Sequence, residues 1–440
     1  MQIERRYAKI AKTIKQCSQF NKMLKGYFDM GKLKIGVFGA CRGMAMISQL
    51  IQTGEAELVA ICDKYTPHFI HSRKEAEEKF GSCNITYYTD FDEFICHDMD
   101  AVILANYANE HAPYAIRLLE SGRHVMSECL ACATMKEAVE LIEAVERTGK
   151  IYTFAENYCY TPVRLEMRRR YRNGDIGELM YAEGEYTHDC STEWPSLTCG
   201  DRNHWRNLMP STFYCSHAIG PILYMTGLRP VSVTSFEAPP RPFLTDVGYT
   251  AGAFAVSMLT LENGAIFKSL QFNLKHNHPG NNYQLNGDLC ALKDMGNGEI
   301  NVHIEYPEEN YRAEGQKYRP AHIFPEAEAS GHGGGDFCTT HLFIRSILGD
   351  EVAKEYAINV YDAVEMCIPG ILGYKSIVNG TAPIEIPNLR DPRERDKYRN
   401  DTFCTFPNIA GDQYVSHNRF VPGGLPDEVY EKARNKWLGL

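Results

Sequence analysis

Residues 34–43 read Lys34-Ile35-Gly36-Val37-Phe38-Gly39-Ala40-Cys41-Arg42-Gly43, and this stretch decides the fold of the N-terminal half. An apolar strand runs into glycines and then into a helix, which is where a diphosphate can approach the free N–H groups of the helix start. A second apolar strand ends in Asp63, where a carboxylate can accept hydrogen bonds from the adenosine ribose. The pattern predicts a dinucleotide-binding βαβ unit, although Cys41 replaces the middle glycine. Asp63 favours NAD over NADP, because its charge would repel a 2′-phosphate.

The composition is that of an ordinary globular protein that is large enough for two domains: 440 residues, of which 44% are hydrophobic and 23% are charged. A net charge of −10 argues against nucleic acid or an anionic membrane as a partner. We find neither a signal-peptide core nor an apolar run of about 18 residues. We therefore expect a cytoplasmic protein that acts on a small molecule.

The cysteines and histidines give no metal or disulfide framework. The chain has 15 cysteines without regular spacing, which fits reduced thiols. Cys129 and Cys132 have redox or metal spacing, but a second ligand pair is missing, so we interpret them as buried thiols after a strand. The histidines that could assemble a site show no zinc-enzyme spacing on a helix, and we predict no metal; they are His188, His204, His217, His276, His278 and His332.

Strands and helices alternate in the first part of the chain and change character near residue 156. Buried strands are predicted at 35–38, 58–62, 101–104, 124–127 and 151–154, with helices at 111–121 and 135–148 between the later ones. Strands of two-residue periodicity follow at 180–186, 231–236, 253–261 and 265–272, and helices at 337–348 and 360–378. The fold class is therefore α/β, a doubly wound parallel Rossmann sheet followed by an α+β domain with an open, mostly antiparallel sheet.

Four segments follow from this pattern. We expect an N-terminal helical extension (1–31), a NAD-binding Rossmann domain (32–155), a substrate and oligomerisation domain (156–390) and a C-terminal tail that packs on the domains (391–440). Open sheet faces are often buried between subunits, so we expect a homo-oligomer.

Two motifs of the Rossmann half carry a family resemblance: Asn106-Tyr107-Ala108-Asn109-Glu110-His111 and Gly122-Arg123-His124-Val125-Met126-Ser127-Glu128. Followed by an open-sheet domain, they resemble the Gfo/Idh/MocA oxidoreductase superfamily over about residues 32–390. The resemblance implies that the nicotinamide half of NAD meets the loop after the fourth strand and the end of the fifth. The implied cofactor contacts are Gly39, Cys41, Arg42, Gly43, Asp63, Asn106, Asn109, His111, Glu128 and Asn157. A solvent-facing histidine at a helix start is the alternative for His111.

The chain departs from ordinary dehydrogenases of that superfamily at two places. They carry Glu-Lys-Pro at the end of the fifth strand, where the lysine assists alcohol deprotonation, and this chain has Glu128-Cys129-Leu130. They also tend to carry Asp-x-x-x-His on a helix of the second domain, and here Phe213 stands at the aspartate position while His217 remains. A chain that keeps the NAD-binding pattern but lacks these two catalytic groups suggests an enzyme that oxidises its substrate for a purpose other than net oxidation of that substrate.

Five further segments resemble the signature segments of NAD-dependent α-N-acetylgalactosaminidases, a glycoside hydrolase branch of the same superfamily. They are residues 155–160, 185–189, 203–206, 214–221 and 331–337. In that mechanism the sugar is oxidised at C3, loses its C2 proton, eliminates the glycosidic oxygen, adds water at C1 and is reduced again.

The catalytic candidates are Tyr214, His217 and His188. Tyr214 and His217 lie three residues apart at a predicted helix start, so both can face one substrate, and we assign them jointly to C3 oxidation and C2 deprotonation. A core tyrosine and a satisfied histidine are the alternative. His188 could bind a sugar hydroxyl or protonate the leaving oxygen, or it could pair with its neighbour Asp189.

The substrate candidates are Glu156, Trp205, Arg206 and His332. Glu156 and Asn157 follow the sixth Rossmann strand, with a helix cap or linker as the alternative role. For Trp205 two roles stay open, stacking on a sugar face or filling the core. The loop 331–336 allows close approach of sugar or cofactor, and Asp336 is expected to cap the next helix.

We conclude from the sequence that the chain is a NAD-dependent glycoside hydrolase acting by transient C3 oxidation on a small-molecule glycoside. The alternative is a net NAD-dependent sugar or polyol oxidoreductase of the same superfamily. A third class, a cofactor-binding protein with a vestigial site, would leave Tyr214 and His217 idle.

Overall fold

The computed structural model describes residues 32–46, 54–66, 73–74, 84–272, 282–304 and 315–440. The predicted N-terminal extension and the His276-Asn277-His278 segment lie outside the described residues. The described chain forms two sheets with helices packed on them, which confirms the predicted fold class.

The first sheet is parallel, with strand order β3-β2-β1-β4-β5-β6. Both β2 and β4 pair with β1. The order in which strands are added to the sheet therefore reverses at β1, and ligands bind beside such a reversal in sheets of this kind. The predicted buried strands are confirmed, whereas β3 was not predicted. The strands are β1 (Leu33–Phe38), β2 (Ala56–Cys62), β3 (Thr86–Tyr88), β4 (Ala101–Leu104), β5 (His124–Ser127) and β6 (Tyr152–Phe154).

The second sheet has the order β14-β13-β12-β11-β7-β10-β9-β8-β15 and is antiparallel except for the β7–β10 pair. The four predicted strands correspond to β7 to β10, and a turn at residues 262–264 joins β9 to β10. Its strands are β7 (Leu179–Thr187), β8 (Pro230–Glu237), β9 (Ala255–Leu261), β10 (Ile266–Phe272), β11 (Tyr283–Gly287), β12 (Cys290–Asp294), β13 (Ile300–Ile304), β14 (Gln316–Tyr318) and β15 (Ile384–Glu385).

One helix begins at Arg42, directly after β1. The helices with both ends described are α1 (Phe91–Phe94), α2 (His111–Glu120), α3 (Met135–Thr148), α4 (Pro162–Arg172), α5 (Trp194–Thr198), α6 (Trp205–Leu208), α7 (Ser216–Thr226), α8 (Pro242–Thr245), α9 (Gly335–Ile347), α10 (Glu351–Tyr356), α11 (Val360–Val378), α12 (Pro392–Arg395), α13 (Pro407–Ala410) and α14 (Asp427–Leu438). In the described part of the chain, no helix is both long and apolar enough to span a bilayer.

Helix α7 lies in the core between the second sheet and α11, and every one of its residues is buried. It approaches β7 so closely that a Cβ on Gly184 would lie 2.1 Å from the carbonyl oxygen of Ala218. A side chain at position 184 would therefore push the helix away from the sheet. This packing fixes the first turn of α7, which carries His217.

The C-terminal segment packs on both halves of the chain. Arg395, only 1% exposed, donates to both carboxylate oxygens of Glu146 on α3 at 2.6 and 2.7 Å. The ring of Phe406 lies 5.2 Å from that of Phe213, next to the start of α7. These contacts tie the segment to the Rossmann half and to the site-bearing half together.

Candidate active site

The turn after β1 is shaped by glycine. Gly39 has a φ of +103°, and a Cβ there would lie 2.3 Å from the carbonyl carbon of Ala105. A Cβ on Gly43 would lie 2.4 Å from the Val37 side chain. Both positions therefore need glycine, the first for the turn and its approach to β4, the second for packing of the helix on β1.

Asp63 is held at the end of β2 by two backbone donors. Its Oδ2 accepts from the N–H of Ala40 at 2.7 Å, and its Oδ1 accepts from the N–H of Tyr65 at 2.7 Å. The carboxylate lies beside the glycine turn, where a ribose would meet it. A cleft opens here, lined by Phe38, Gly39, Cys41, Asp63, Lys64, Tyr65, Ala105, Asn106, Tyr107 and Glu110.

Among the described residues that follow β4 and β6, three amide side chains carry buried atoms without a hydrogen-bond partner. They are both amide atoms of Asn106, Oδ1 of Asn109 and Oδ1 of Asn157. A buried polar atom without a partner costs about 1–3 kcal/mol, so such atoms fit a polar ligand. Asn106 lines the cleft together with Gly39 and Asp63, so the residues present there fit a dinucleotide.

His111 is buried, and both of its ring nitrogens contact backbone carbonyls. Nδ1 lies 2.9 Å from the oxygen of Leu130, and Nε2 lies 3.2 Å from the oxygen of Asn106. Burial lowers the pKa of His111. Its ring joins the loops after β4 and β5, so it positions the Asn106 loop and does not face solvent.

Arg42 bridges the two halves of the chain. Its Nε donates to Glu128 at 2.6 Å, and its two terminal nitrogens donate to Asp336 at 2.7 and 3.2 Å. Asn157 and His332 also contact the Asp336 carboxylate, at 2.9 and 2.8 Å. Burial alone would raise the pKa of Asp336, but these partners hold it below its ordinary value.

The prediction that Asp336 caps a helix is wrong. The cap position of α9 is Gly334, which makes no side-chain bond, and Asp336 lies inside the first turn. Its carboxylate instead forms an ion pair with the Arg42 guanidinium. Burying a charge without an opposite charge costs more free energy than leaving a helix end without a side-chain cap. Sequence reasoning missed this residue's role.

At the centre of the site, His217 is hydrogen-bonded to a fully buried carboxylate. Nδ1 of His217 lies 2.6 Å from Oε1 of Glu156, and the thiol of Cys129 donates to Oε2 at 3.3 Å. The N–H of Tyr158 also donates to Oε1. Because protein groups bind both of its oxygens, Glu156 is held beside His217. We had predicted a substrate contact for Glu156, and its bond to the N–H of Tyr158 corresponds to the alternative role as a helix cap.

Burial and the neighbouring groups shift the pKa of Glu156 in opposite directions. Burial alone would raise this pKa, but the charge and hydrogen bond of His217 hold it below the ordinary value. Burial also raises the pKa of Cys129 far above its ordinary range. The cluster therefore holds an ionised carboxylate and a neutral thiol.

Three tyrosines surround the His217 ring. Ring centroids lie 4.6 Å away for Tyr186, 4.7 Å for Tyr158 and 5.2 Å for Tyr214. The structure thus brings Tyr214 and His217 together, with Tyr214 just before α7. Burial raises the pKa of Tyr214, and the nearby Arg206 opposes this shift. Tyr158 and Tyr186 were not singled out from the sequence, although both lie in segments that carried the family resemblance.

The remaining predicted residues lie around this cluster. Trp205 is 6% exposed and packs 6.5 Å from Phe213, so it fills the core. The Arg206 guanidinium covers Trp205 at 4.5 Å and lies 5.7 Å from the Tyr214 ring. His188 is exposed and stacks 6.1 Å from Tyr186.

His188 does not form the local pair that was its alternative interpretation. Its Nδ1 lies 2.7 Å from the sulfur of Cys190, while Asp189 accepts from Ser191. His332 is 43% exposed at the side chain and lies 6.1 Å from Tyr158. Both histidines therefore stand on the outer side of the tyrosines that surround His217.

Cys129, Glu156 and His217 also have the residue types of a metal site. Their ligand atoms all lie within 4.8 Å of one another. A nitrogen and an oxygen that both bind one tetrahedral zinc ion lie about 3.4 Å from each other. Here Nδ1 of His217 and Oε1 of Glu156 lie 2.6 Å apart, which is a hydrogen-bond distance. In this geometry His217 and Cys129 are each hydrogen-bonded to Glu156.

Both halves of the chain are similar to domains of known proteins. Residues 33–156 match an oxidoreductase family with the NAD-binding Rossmann fold, and residues 303–393 match the C-terminal domain of glycosyl hydrolase 109. A glycosyl hydrolase family 109 protein of Porphyromonas gingivalis is 25% identical over 399 residues, which cover 81% of this chain and 84% of that protein. One of Stenotrophomonas maltophilia is 24% identical over 413 residues, with 81% and 89% covered.

Two solved structures share the fold. Levoglucosan dehydrogenase in complex with NADH and levoglucosan has a TM-score of 0.66 at 19% identity. The myo-inositol 2-dehydrogenase of Lactobacillus plantarum has a TM-score of 0.60 at 17% identity. Each match covers 81% of this chain and the whole of the other.

The Rossmann domain of this chain therefore belongs to the Gfo/Idh/MocA oxidoreductases and is of the NAD-binding type. The second half carries the C-terminal domain of glycosyl hydrolase family 109, and the relatives at about 25% identity bear that family's name.

Proposed function

We propose that the protein is a NAD-dependent glycosidase that cleaves its substrate through transient oxidation of the sugar. The sugar is oxidised at C3, deprotonated at C2 and freed from its aglycone by elimination; water then adds at C1 and C3 is reduced again. The observation that carries this proposal is the buried Glu156–His217 pair, which stands in a chain whose second domain is of the glycosyl hydrolase 109 type.

The residues that would hold the cofactor lie along the cleft at the ends of β1, β2 and β4. Gly39 leaves room for the diphosphate, Asp63 would accept from the ribose hydroxyls, and Asn106 has amide atoms free for the nicotinamide half. Bound NAD would supply a hydride acceptor that becomes the hydride donor at the end of the cycle.

His217 is the group that would take and return protons. Because Nδ1 is bonded to Glu156, Nε2 is the nitrogen left for a substrate atom. An ionised Glu156 stabilises the imidazolium that forms when His217 accepts a proton, as a buried carboxylate does for other catalytic histidines. A reversible proton carrier suits a reaction that needs a base at one step and an acid at the next.

Tyr214 would act next to His217 as a hydrogen-bond donor. Its raised pKa keeps the phenol protonated, so it would orient the C3 oxygen and release its proton only against a charged neighbour such as Arg206. His188, whose ring stacks on Tyr186, would protonate the departing oxygen. The aglycone would then leave towards solvent.

A net sugar or polyol oxidoreductase is the second candidate, because the fold is that of sugar and inositol dehydrogenases. The site argues against it. Cys129 occupies the position of the lysine that assists alcohol deprotonation, and a buried neutral thiol supplies no positive charge there.

The test is a panel of α- and β-aryl glycosides with added NAD+, with aryl alcohol release and NADH absorbance measured together. We expect aryl alcohol without net NADH. In Tyr214→Phe and His217→Ala, turnover should fall by about 100-fold or more, while Tyr414→Phe, a partly exposed control, keeps it. NADH build-up with intact glycoside would move the protein to the oxidoreductases, and normal turnover in both variants would remove the assignment.

A further inference from the structure

The C-terminal helix α14 is anchored on the second half of the chain. A Cβ on Gly200 would lie 2.4 Å from the backbone nitrogen of Arg434, so the helix packs directly on this glycine. The hydroxyl of Tyr430 donates to the carbonyl oxygen of Gly248 at 3.2 Å. The body of the helix thus belongs to the site-bearing half.

The last turn of α14 reaches across to the Rossmann half. The ring of Trp437 lies 5.9 Å from that of Tyr65, at an interplanar angle of 50°. Tyr65 lines the dinucleotide cleft and is 39% exposed. A second contact joins the cleft lining to the second half of the chain: the ring of Tyr107 lies 4.9 Å from that of His204.

The position of Tyr65 relates this contact to one end of the cofactor. Its N–H donates to Asp63, the carboxylate expected to bind the adenosine ribose. The adenine is attached to that ribose, so it must lie beyond Asp63 from the glycine turn, in the region of residues 64 and 65. Aromatic side chains are the groups on which a base stacks.

We propose that Trp437 and Tyr65 together form the adenine-binding wall of the cleft, so that the C-terminal helix retains the dinucleotide. Stacking on an aromatic ring is worth enough to change dissociation of a base by about 10- to 100-fold. The helix is fixed to the second half through Gly200 and Tyr430, so its last turn would cover the adenosine end without displacing the site around His217.

The experiment measures NADH binding to the full-length protein in the absence of any glycoside. The variants are Trp437→Ala, Trp437→Phe and the neighbouring control Leu438→Ala, whose side chain is 54% exposed. We expect NADH to dissociate about 10- to 100-fold faster from Trp437→Ala, within about threefold of wild type from Trp437→Phe, and unchanged from Leu438→Ala. Rescue by phenylalanine separates stacking from a merely structural loss.

Dissociation of NADH from Trp437→Ala at the wild-type rate would overturn the proposal and leave the glycosidase proposal untouched.

Discussion

Replacing Asp336 by asparagine tests the bridge between the two halves of the protein. The Asp336 side chain is 4% exposed and accepts from Arg42, Asn157 and His332. Asparagine keeps the size but removes the charge, and it turns one acceptor into an N–H donor that faces the Arg42 guanidinium. Both effects should destabilise the folded protein.

The expected loss follows from what remains around Arg42. Breaking a buried ion pair costs about 3–5 kcal/mol. Arg42 keeps its bond to Glu128 at 2.6 Å and is itself 32% exposed, so we expect the lower end, about 3 kcal/mol. Partners hold the pKa of Asp336 below its ordinary 3.8, so its stabilising effect is complete above that value and is lost only as the pH falls further. The difference between wild type and variant should therefore stay constant from neutral pH down to about 4.

Urea unfolding, followed by circular dichroism, measures the difference. Asp391→Asn is the matched control, because Asp391 also binds an arginine, Arg393, but lies at the surface. We expect no measurable change in the control. A change below about 1 kcal/mol in Asp336→Asn would refute the view that this carboxylate holds the two halves together.

Three further variants test other parts of the molecule. Glu156→Gln should lower turnover by about 100-fold or more while NADH still binds, because His217 loses the carboxylate that stabilises its charged form; steady-state kinetics and NADH titration check this. Gly39→Ala should abolish NADH binding measured by fluorescence titration, since its Cβ would lie 2.3 Å from Ala105, and wild-type affinity would contradict the role of the turn. Burial raises the pKa of Glu137 from 4.5 to about 7, so wild-type stability should fall as pH rises between those values. In Glu137→Gln, the free energy of unfolding measured with urea should fall by up to about 3 kcal/mol less over this pH range than in wild type. A pH profile identical to that of wild type would show that Glu137 is ionised in the folded state.

The Rossmann sheet could be predicted because its signals are local. Each buried strand is a short apolar run, and Gly39 and Asp63 sit at fixed points of one βαβ unit. The same locality placed Tyr214 beside His217. Strands such as Tyr283–Gly287 were missed because they are short: Tyr283 and Leu285 alternate with polar residues over only four positions before a glycine.

The electrostatic partners could not be predicted because they are far apart in the chain. Arg42 meets Asp336 across 294 positions, and Glu156 meets His217 across 61. Their pairing depends on how the two halves dock, which no periodicity encodes. Trp205 remained undecided for a different reason: its partners Arg206 and Phe213 are near in the chain, but the sequence does not show that they fold against its ring.

The central claim is that glycoside cleavage proceeds through oxidation and C2 deprotonation. Turnover of an aryl glycoside in D2O, with mass spectrometry of the released sugar and of unreacted glycoside, tests it most directly. We predict deuterium at C2 of the released sugar with no net NADH. Cleavage with C2 hydrogen fully retained would contradict the account, because direct displacement at C1 leaves the C2 proton in place.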